Sequence, residues 1–267
     1  MSVDGDHTSA ARLVPEQRRQ LIADRLRSTG SVSVAAVEAE FGVSSMTARR
    51  DLQLLERAGH ARRTHGGAVL PGLARDEDAF QSRLDEAAAV KQRLGRAAAE
   101  LVDDGETVFV DCSSTAFYAV RALIAAETPA TVLTPSVAVM DLIARADAPQ
   151  LELLGLAGSL RRLTRSFVGP QTVHAIEAHF ADKLLFSVKG IAPGHVMTDA
   201  NPLEAEVKRA MIDRAREPVL LIDGSKFDRP GLSAIGPVSG VAAVVAGDAE
   251  AQHIRALRES GVRVEER

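Results

Sequence analysis

Hydroxyl and arginine side chains are concentrated in one short stretch near the N-terminus, which reads SSMTARR over residues 44–50. Hydroxyls and backbone amides at the start of a helix can fix phosphate groups, and an arginine can pair with a guanine edge through two hydrogen bonds. The pattern therefore predicts contacts with duplex DNA from Ser44, Ser45, Thr47, Arg49 and Arg50. A solvated helix face with salt bridges is the plainer interpretation of the charge pattern alone.

A second basic stretch follows this one and reads HARRTHGGAVL. Its β-prone flanks surround Gly66 and Gly67, which is typical of a tight hairpin. On such a hairpin, Arg62, Arg63 and His65 could reach the DNA backbone or the minor groove. The alternative is a surface hairpin whose basic residues do nothing specific.

A different set of polar residues follows the apolar, β-prone runs of the later sequence. Asp111 closes the run VFVD, and Ser113, Ser114 and Thr115 open the helical pattern after it. Amides and hydroxyls at a helix N-terminus can bind phosphate or carboxylate, because the unpaired N–H groups and the helix dipole both favour an anion. A plain N-cap is the alternative. Cys112 is expected to be a small packing residue rather than a nucleophile.

Other strand ends add cations, namely Arg161, Lys189 and Lys226. Glu204 and Lys208 are four residues apart on one predicted helix, so they are candidates for the same pocket or for an ordinary surface ion pair. Hydroxyls and several cations with few aromatics suit a small phosphorylated polar molecule better than an apolar ligand or a nucleotide base.

The composition excludes several classes of protein. The chain has 267 residues, 46% hydrophobic and 25% charged, which indicates one large or two smaller globular domains and excludes collagen-like and low-complexity chains. With no Trp, one Tyr and eight Phe, it has little from which to build the stacking platforms of single-strand binders. One cysteine excludes an intramolecular disulfide and a cysteine-based zinc site. Without a long apolar run or a signal-like N-terminus, we expect a cytoplasmic protein with no membrane partner.

The net charge of −4 hides an uneven distribution. Residues 1–67 carry ten Arg, no Lys and eight acidic residues, a balance of +2, whereas residues 68–267 carry 22 basic and 28 acidic residues, a balance of −6. A local basic patch is what a sequence-reading DNA-binding module needs.

The elements that must position these residues can be predicted from periodicity. Three helical patterns precede the hairpin: one begins at Pro15 and stops at Gly30, AAVEAEF ends at Gly42, and SMTARRDLQLLERAG ends at Gly59. Two helices joined by a short glycine-containing turn and followed by a hairpin predict a winged helix-turn-helix domain over residues 1–70.

The segment PGLARDEDAF marks a linker, assigned to residues 71–82. Next, SRLDEAAAVKQRLGRAAAELVDDG predicts one helix that stops at Gly105. Beyond it, helical patterns alternate with the apolar runs TVFVD, TVLT, LELLGL, KLLFSV, PVLLID and AAVVA. This alternation predicts a mostly parallel α/β domain over residues 83–267 that binds the effector and mediates oligomerisation. Ligands in such sheets bind at the carboxyl ends of the strands.

The motifs of the first domain resemble those of the DeoR/GlpR family of bacterial transcription regulators. The matching residues are Phe41, Val43, Ser44, Thr47, Arg49, Arg50, Asp51, Leu52, Leu55, Glu56, Gly59, Arg63, His65, Gly66, Gly67 and Ala68. One departure is Ala48, where the family usually has a larger β-branched residue, and we expect it to change packing only. The resemblance continues nearly to the C-terminus.

The second domain resembles the effector domain of that family, which is similar to ribose-5-phosphate isomerase and typically senses a phosphorylated sugar or related metabolite. The matching motifs are the Asp111 loop, GSLRRLTRSFVGP, EAEVKRAMI and DGSKF. The resemblance implies that the loop and Lys226 hold phosphate, while Glu204 and Lys208 line the pocket.

Two departures from the family pattern concern this pocket. The phosphate loop has serine where many relatives have glycine. The serine side chain leaves a phosphate less room to approach the backbone of the loop. The segment that reads like G-A-D-G in many relatives is SVKG here, so Lys189 replaces an acid that an isomerase would need for proton transfer.

Together these features predict a DNA-binding transcriptional regulator rather than an enzyme, and specifically a repressor of carbohydrate metabolism genes. We expect a phosphorylated sugar or related metabolite to control its binding to double-stranded operator DNA. The chain should form a homo-oligomer, a dimer or a higher even state, and should need no cofactor or metal. The alternative is a sugar-phosphate isomerase-like enzyme with an accessory DNA-binding domain, using Glu204 as base with help from Lys208 or Lys226.

Overall fold

The computed structural model describes residues 14–29, 31–63, 66–69 and 80–267. The chain divides into two compact units, Met1–Ala74 and Arg75–Arg267. Among the helices in these described ranges, none is both long enough and apolar enough to cross a membrane.

The first unit contains three helices and a small antiparallel sheet. The helices are α1 (Pro15–Thr29), α2 (Val34–Phe41) and α3 (Ser45–Arg57), and the strands are β1 (Ser31–Ser33), β2 (Arg62–Arg63) and β3 (Gly67–Val69). The strand order is β1-β3-β2. Gly42 ends α2 in the left-handed conformation at φ 61°, which glycine adopts without strain. The predicted helix-turn-helix region and the hairpin after it are confirmed.

The hairpin differs from the prediction in the role of Gly67. This residue is not part of the turn; it lies in β3, paired with Ser33 of β1. A Cβ atom at Gly67 would lie 2.1 Å from the carbonyl oxygen of Val32, so only glycine allows β1 to approach this closely. The β-prone segment before α2 is therefore the third strand of the wing sheet.

The second unit is an α/β domain. Its helices are α4 (Phe80–Asp85), α5 (Ala88–Ala99), α6 (Ser114–Ala125), α7 (Val137–Arg145), α8 (Pro170–Glu177), α9 (Pro202–Arg214) and α10 (Ala251–Glu259). Its strands are β4 (Glu106–Val110), β5 (Ala130–Thr134), β6 (Leu151–Gly155), β7 (Ser159–Arg161), β8 (Ser166–Val168), β9 (Ala181–Phe186), β10 (Gly190–Ala192), β11 (Val196–Asp199), β12 (Ala215–Asp223), β13 (Ser233–Pro237), β14 (Ala243–Gly247) and β15 (Arg263–Glu266).

Seven of these strands form one parallel sheet in the order β15-β14-β12-β9-β4-β5-β6. From β4 the chain moves to β5 and β6 on one side, whereas β9, β12, β14 and β15 extend the sheet on the other side. The order therefore reverses between β4 and β9. Such a switch point leaves a crevice outside the carboxyl ends of the two strands, which is where ligands bind in sheets of this type.

Helices cover both faces of the sheet, as the alternating pattern predicts. Val108 and Val110 of β4 face a core formed with α5, α6 and α7, while Phe109 faces a second core formed with α8, α9 and α10. Helices α5 and α6 lie so close together that a Cβ atom at Gly95 would come within 2.6 Å of the Tyr118 backbone. Only glycine fits at this position. This contact packs the middle of α5 against the second turn of α6.

The prediction of one continuous helix before Gly105 is wrong. The helix is interrupted between α4 and α5 by Ala87, whose φ of 52° lies in the left-handed region, and α5 ends at Ala99. Sequence reasoning also missed α8, the edge strand β15, the β7–β8 hairpin and the antiparallel sheet of β10, β11 and β13. All six of these strands have only three to five residues, too few to show a clear period.

Candidate functional site

The start of α3 places the predicted DNA-binding residues of the first unit on one exposed turn. Ser44 is the N-cap, and its hydroxyl accepts a hydrogen bond from the Thr47 amide at 3.3 Å. The Ser45 hydroxyl accepts one from Nε of Arg49 at 3.5 Å. Arg49 and Arg50 are exposed. The hydroxyls thus close the first turn, while the two guanidinium groups lie at the surface.

Asp51, the next residue of α3, lies on the opposite side of the helix. It is 3% exposed, and its carboxylate pairs with Nε of Arg18 at 2.7 Å and with Arg19 at 3.6 Å. A buried carboxylate must be paired, and this pair ties α3 to α1. Because Asp51 is turned inward, the outer surface of α3 is more basic than the sequence count suggests.

The hairpin is connected to the same helix. The backbone N–H of Arg63 donates to the Glu56 carboxylate at 2.8 Å, and the Arg63 side chain is exposed. The backbone of Arg62 pairs with Val69. His65 lies outside the described residues.

In the second unit, a rigid loop occupies the carboxyl end of β4. One carboxylate oxygen of Asp111 accepts from the amide and the hydroxyl of Ser113, at 2.9 and 2.5 Å. The other accepts from the amide of Ser187, which follows β9, at 3.3 Å. Ser113 in turn caps α6 by accepting from the Ala116 amide at 3.1 Å. Asp111 therefore bridges the two strands of the switch point and fixes the N-terminus of α6 beside them.

A small cleft opens above this loop. Its lining combines hydroxyl groups, cations and acids: Arg83, Glu86, Lys91, Cys112, Ser113, Ser114, Thr115, Ser187, Val188, Lys189, Asp199, Ala200, Glu204, Lys208 and Lys226. The predicted residues Ser113, Ser114, Thr115, Lys189, Glu204, Lys208 and Lys226 are thus brought together. Asp111 and Arg161 are not part of this lining and act through the side chains that they hold.

Lys208 on α9 is buried among carboxylates. Its Nζ lies 2.5 Å from Asp111 and 3.5 Å from Asp199, and Lys208 is 5% exposed. Burial by itself would lower the pKa of Lys208, but Asp111, Asp199 and Glu204 raise it above its ordinary value. Burial raises the pKa of Asp199, against the opposing effect of Lys208. Lys208 is therefore a fixed cation that binds β4 to α9.

Glu204 is held by the β7–β8 hairpin. Its Oε1 accepts from Thr164 at 2.5 Å, from Ser166 at 2.9 Å and from Arg161 at 3.3 Å. Burial would raise the pKa of Glu204, but Lys208 and the two hydroxyl donors outweigh burial and hold it below its usual value. Glu204 and Lys208 are both buried, so their interpretation as an ordinary surface pair is wrong.

Four further cations lie around the cleft, on Arg83, Lys91, Lys189 and Lys226. Lys226 ends a short turn fixed by Asp223, which accepts from the Ser225 amide at 2.8 Å. Burial lowers the pKa of Lys91 to about 8, and the positive charges of Lys226 and Arg83 act in the same direction. The cations are thus close enough to repel one another, which favours an anion between them.

Sequence reasoning missed five polar residues of this cleft: Arg83, Glu86, Lys91, Ser187 and Asp199. Asp199 closes β11, so the rule that polar residues after strands line the crevice would have found it had VMTD been interpreted as a strand. Arg83 and Lys91 follow no strand, and no local signal identifies them.

The two units match the two domains of one known protein family. Residues 18–72 match the DeoR-like helix-turn-helix domain, and residues 86–248 match the DeoR C terminal sensor domain. The chain belongs to the DeoR family of transcriptional regulators. The helix-turn-helix domain of a DeoR-family regulator implies DNA binding, and its sensor domain implies binding of an effector.

Two relatives of this DeoR-family chain are also regulators rather than enzymes. The HTH-type transcriptional repressor GlcR of Bacillus subtilis is 33% identical over 212 residues, covering 79% of this chain and 80% of the relative. The L-fucose operon activator of Escherichia coli is 30% identical over 230 residues, covering 85% and 93%. Among solved structures, ribose 5-phosphate isomerase A of Methanocaldococcus jannaschii matches with a TM-score of 0.39 and 16% identity, over 53% of this chain and 55% of the isomerase chain. That likeness carries no argument about substrate.

Proposed function

We propose that this DeoR-family regulator represses carbohydrate metabolism genes and that a phosphorylated sugar or related metabolite controls its binding to operator DNA. The observation that carries the proposal is the composition of the switch-point cleft. Hydroxyls, the N-terminus of α6 and several cations line it together with buried acids. A phosphorylated polyol needs donors and cations for its phosphate and acceptors such as carboxylates for its hydroxyl groups.

The phosphate is assigned to the loop of Ser113, Ser114 and Thr115, with Lys189 and Lys226 as cations. Free amides and hydroxyls at a helix N-terminus favour an anion, and lysines add charge-assisted hydrogen bonds. The acids of the cleft, Asp199 and Glu204, are assigned to the sugar hydroxyls, because carboxylates accept hydrogen bonds from them. Asp111 and Arg161 hold Lys208 and Glu204 in place.

On the DNA side, we assign phosphate contacts to Ser44, Ser45 and Thr47, and base contacts to Arg49 and Arg50. Arg62, Arg63 and His65 of the hairpin are proposed to reach the backbone or minor groove. The exposure of Arg49 and Arg50 and the inward position of Asp51 support this assignment.

The proposed organisation is a DNA-binding domain over residues 1–70, a linker over 71–82 and an effector-binding domain over 83–267 that forms a homo-oligomer, a dimer or a higher even state. Residues 80–82 of this linker already form the start of α4. Operator palindromes generally mirror the two-fold symmetry of the bound protein, which supports an even oligomer.

The geometry of Glu204 argues against isomerase activity. Its pKa is held down, and Thr164, Ser166 and Arg161 all donate to the same oxygen, so it is a weak proton acceptor. Lys189 also stands where the family pattern has an acid. Aldose–ketose turnover of candidate sugar phosphates, abolished by Glu204→Ala, would contradict a pure sensor.

The proposal is tested by fluorescence anisotropy on duplex DNA that the protein selects from random sequence. A thermal-shift panel of sugar phosphates first identifies a binder, because a ligand at 100 times its Kd stabilises the fold by about 2.7 kcal/mol. That binder should release the wild-type protein from DNA. Lys226→Ala should abolish release while DNA affinity without ligand is unchanged, and the control Arg255→Ala, an exposed cation of α10, should behave as wild type.

Two results would contradict the proposal. If no sugar phosphate in the panel bound the protein, the proposal of a phosphorylated effector would be wrong. A binder that strengthens DNA binding would replace relief of repression by co-repression.

A further inference from the structure

Arg83 of α4 lines the cleft in an unusual state. Its Nε and Nη2 atoms are buried, yet neither has a hydrogen-bond partner among the described residues. Its guanidinium carbon lies 5.7 Å from the centre of the Phe80 ring. Buried guanidinium nitrogens are normally paired, because leaving them unpaired costs the full penalty of removing them from water.

Several contacts hold the backbone around Arg83 in place. Nζ of Lys91 donates to the carbonyl oxygens of Arg83 and Glu86, at 2.5 and 2.7 Å. The hydroxyl of Tyr118 on α6 donates to the carbonyl of Leu84 at 3.2 Å. These bonds connect the α4–α5 turn to both neighbouring helices, so the position of the Arg83 side chain in the cleft is imposed by the fold.

Helix α4 is also tied to the elements that build the cleft. The Phe80 ring packs edge-on against Phe117 of α6, with ring centres 5.8 Å apart. The Phe80 amide donates to the carbonyl of Leu163, at the turn of the β7–β8 hairpin, at 3.0 Å. Helix α4 is therefore in contact with the helix that carries the phosphate loop and with the hairpin that holds Glu204.

The acids near the cleft do not satisfy Arg83. Asp111 is engaged by Ser113, Ser187 and Lys208, and Glu204 by the hairpin. Within the described part of the chain, none of the acids that line the cleft, Glu86, Asp199 and Glu204, bonds to these two nitrogens. A bound anion is therefore the candidate partner, and the planar fork of arginine matches the two oxygens of a phosphate or carboxylate.

We propose that Arg83 is a direct ligand of the anionic group of the effector and that it thereby fastens α4 to the occupied cleft. The inference rests on the proposed function, since it requires an anionic effector in this cleft. Helix α4 is the first described element after residue 69 in the sequence. Occupancy of the cleft would thus be transmitted to the first helix of the sensor unit.

The test uses the full-length protein, with inorganic phosphate and D-ribose 5-phosphate as probes. Titration calorimetry gives the Kd, and hydrogen exchange reports protection of α4 (80–85) and of the loop (113–117). In the wild type, both segments should be protected by the probe. In Arg83→Gln, the Kd should rise at least tenfold, and at saturating probe only the loop should remain protected.

Two further variants separate binding from folding. Arg83→Lys keeps the positive charge but lacks the planar guanidinium group, so its Kd should lie between those of the wild type and Arg83→Gln. Arg121→Gln removes an exposed cation of α6 that lies against Tyr118, outside the cleft, and should leave the Kd within twofold. Because the structure shows no partner for the two buried nitrogens among the residues it describes, neither Arg83 variant should lower the Tm without probe.

The outcomes are distinguishable. Unchanged Kd and unchanged α4 protection in Arg83→Gln would overturn the role of Arg83 and leave the proposed function intact. A lower Tm in both Arg83 variants would show that Arg83 has a structural role, and it would also overturn the proposal that Arg83 is a ligand of the effector. If the wild type bound neither probe and the loop gained no protection, this inference would fail, whereas the proposed function would fail only if the whole panel of sugar phosphates contained no binder.

Discussion

The recognition helix and the effector cleft use similar residue types in opposite ways. On α3, the candidate DNA contacts lie within seven consecutive residues, and Arg49 and Arg50 are exposed. In the cleft, the polar side chains come from separate elements and are largely buried and bonded to one another. Substitutions on α3 should therefore change binding with little effect on stability, whereas those in the cleft should change both.

Each unit nevertheless depends on a buried ion pair. Arg18 and Asp51 connect α1 to α3, and Lys208 connects α9 to Asp111 and Asp199. The first pair lies behind the proposed DNA-binding surface and supports it, while Lys208 and Asp199 of the second line the candidate cleft. A buried ion pair is thus a support in one region and part of the cleft wall in the other.

The largest expected effect comes from Lys208→Met. The substitution leaves Asp111 and Asp199 buried without their cation, so the free energy of unfolding of the sensor unit should fall by about 3–5 kcal/mol. Because the pKa of Lys208 is raised, its contribution is fully present at neutral pH and is lost only above the ordinary lysine value of about 10.4. Denaturation followed by circular dichroism measures it.

The control for this prediction is Arg145→Gln, which removes an exposed i,i+4 pair with Asp141. It should change stability by less than about 0.5 kcal/mol. A Lys208→Met protein as stable as wild type would show that the cleft network does not support the sensor fold.

Arg49→Ala and Arg50→Ala should act on binding alone. Each is expected to weaken operator affinity by about 1–3 kcal/mol if it reads a base, with stability within about 0.5 kcal/mol of wild type. Anisotropy at two salt concentrations separates base contacts from phosphate contacts. Arg57→Ala, in the last turn of α3, is the matched control. If neither variant changed the affinity or the salt dependence, the recognition-helix assignment would be wrong.

The affinity of the cleft for a phosphate monoester should fall above pH 8. Lys91 is charged below its pKa of about 8. Burial lowers this pKa most, the charges of Lys226 and Arg83 lower it further, and those of Asp223 and Glu86 raise it. An anion favours charged Lys91, so the Kd should rise by up to about tenfold per pH unit as the charge is lost. A phosphate monoester, with its second pKa near 6, stays dianionic over this range.

Calorimetry between pH 7 and 9.5 measures this effect, and Lys91→Met should remove the pH dependence. Equal wild-type affinity at both ends of the range would exclude Lys91 from the electrostatics of the site.

The smallest expected effects are the losses of stability on substituting two N-cap serines, one in each unit. Ser44→Ala should cost the first unit about 1 kcal/mol or less, because its hydroxyl is exposed and caps only α3. Ser113→Ala should cost the second unit more, since it loses the cap of α6 and also a donor to buried Asp111. Thermal denaturation of the two variants tests the order, and an equal loss of stability would remove this distinction between the regions.

The sequence by itself determined the elements whose signals are local. The cap at Ser44, the left-handed Gly42 and the spacing of Leu52 and Leu55 define the turn and α3 within 15 residues, and the alternation of apolar runs and helical patterns defines the parallel α/β class. These features depend on neighbours a few positions apart, so they can be predicted without a fold.

Only the tertiary structure decided which residues meet. Asp111 and Lys208 are 97 positions apart, and they touch because the strand order places β4 beside β9 and α9 against the same face. The break at Ala87 brings Arg83 into the cleft, which no local pattern indicated. Pairings between distant segments are selected by the packing of the whole sheet, and no short stretch of sequence records them.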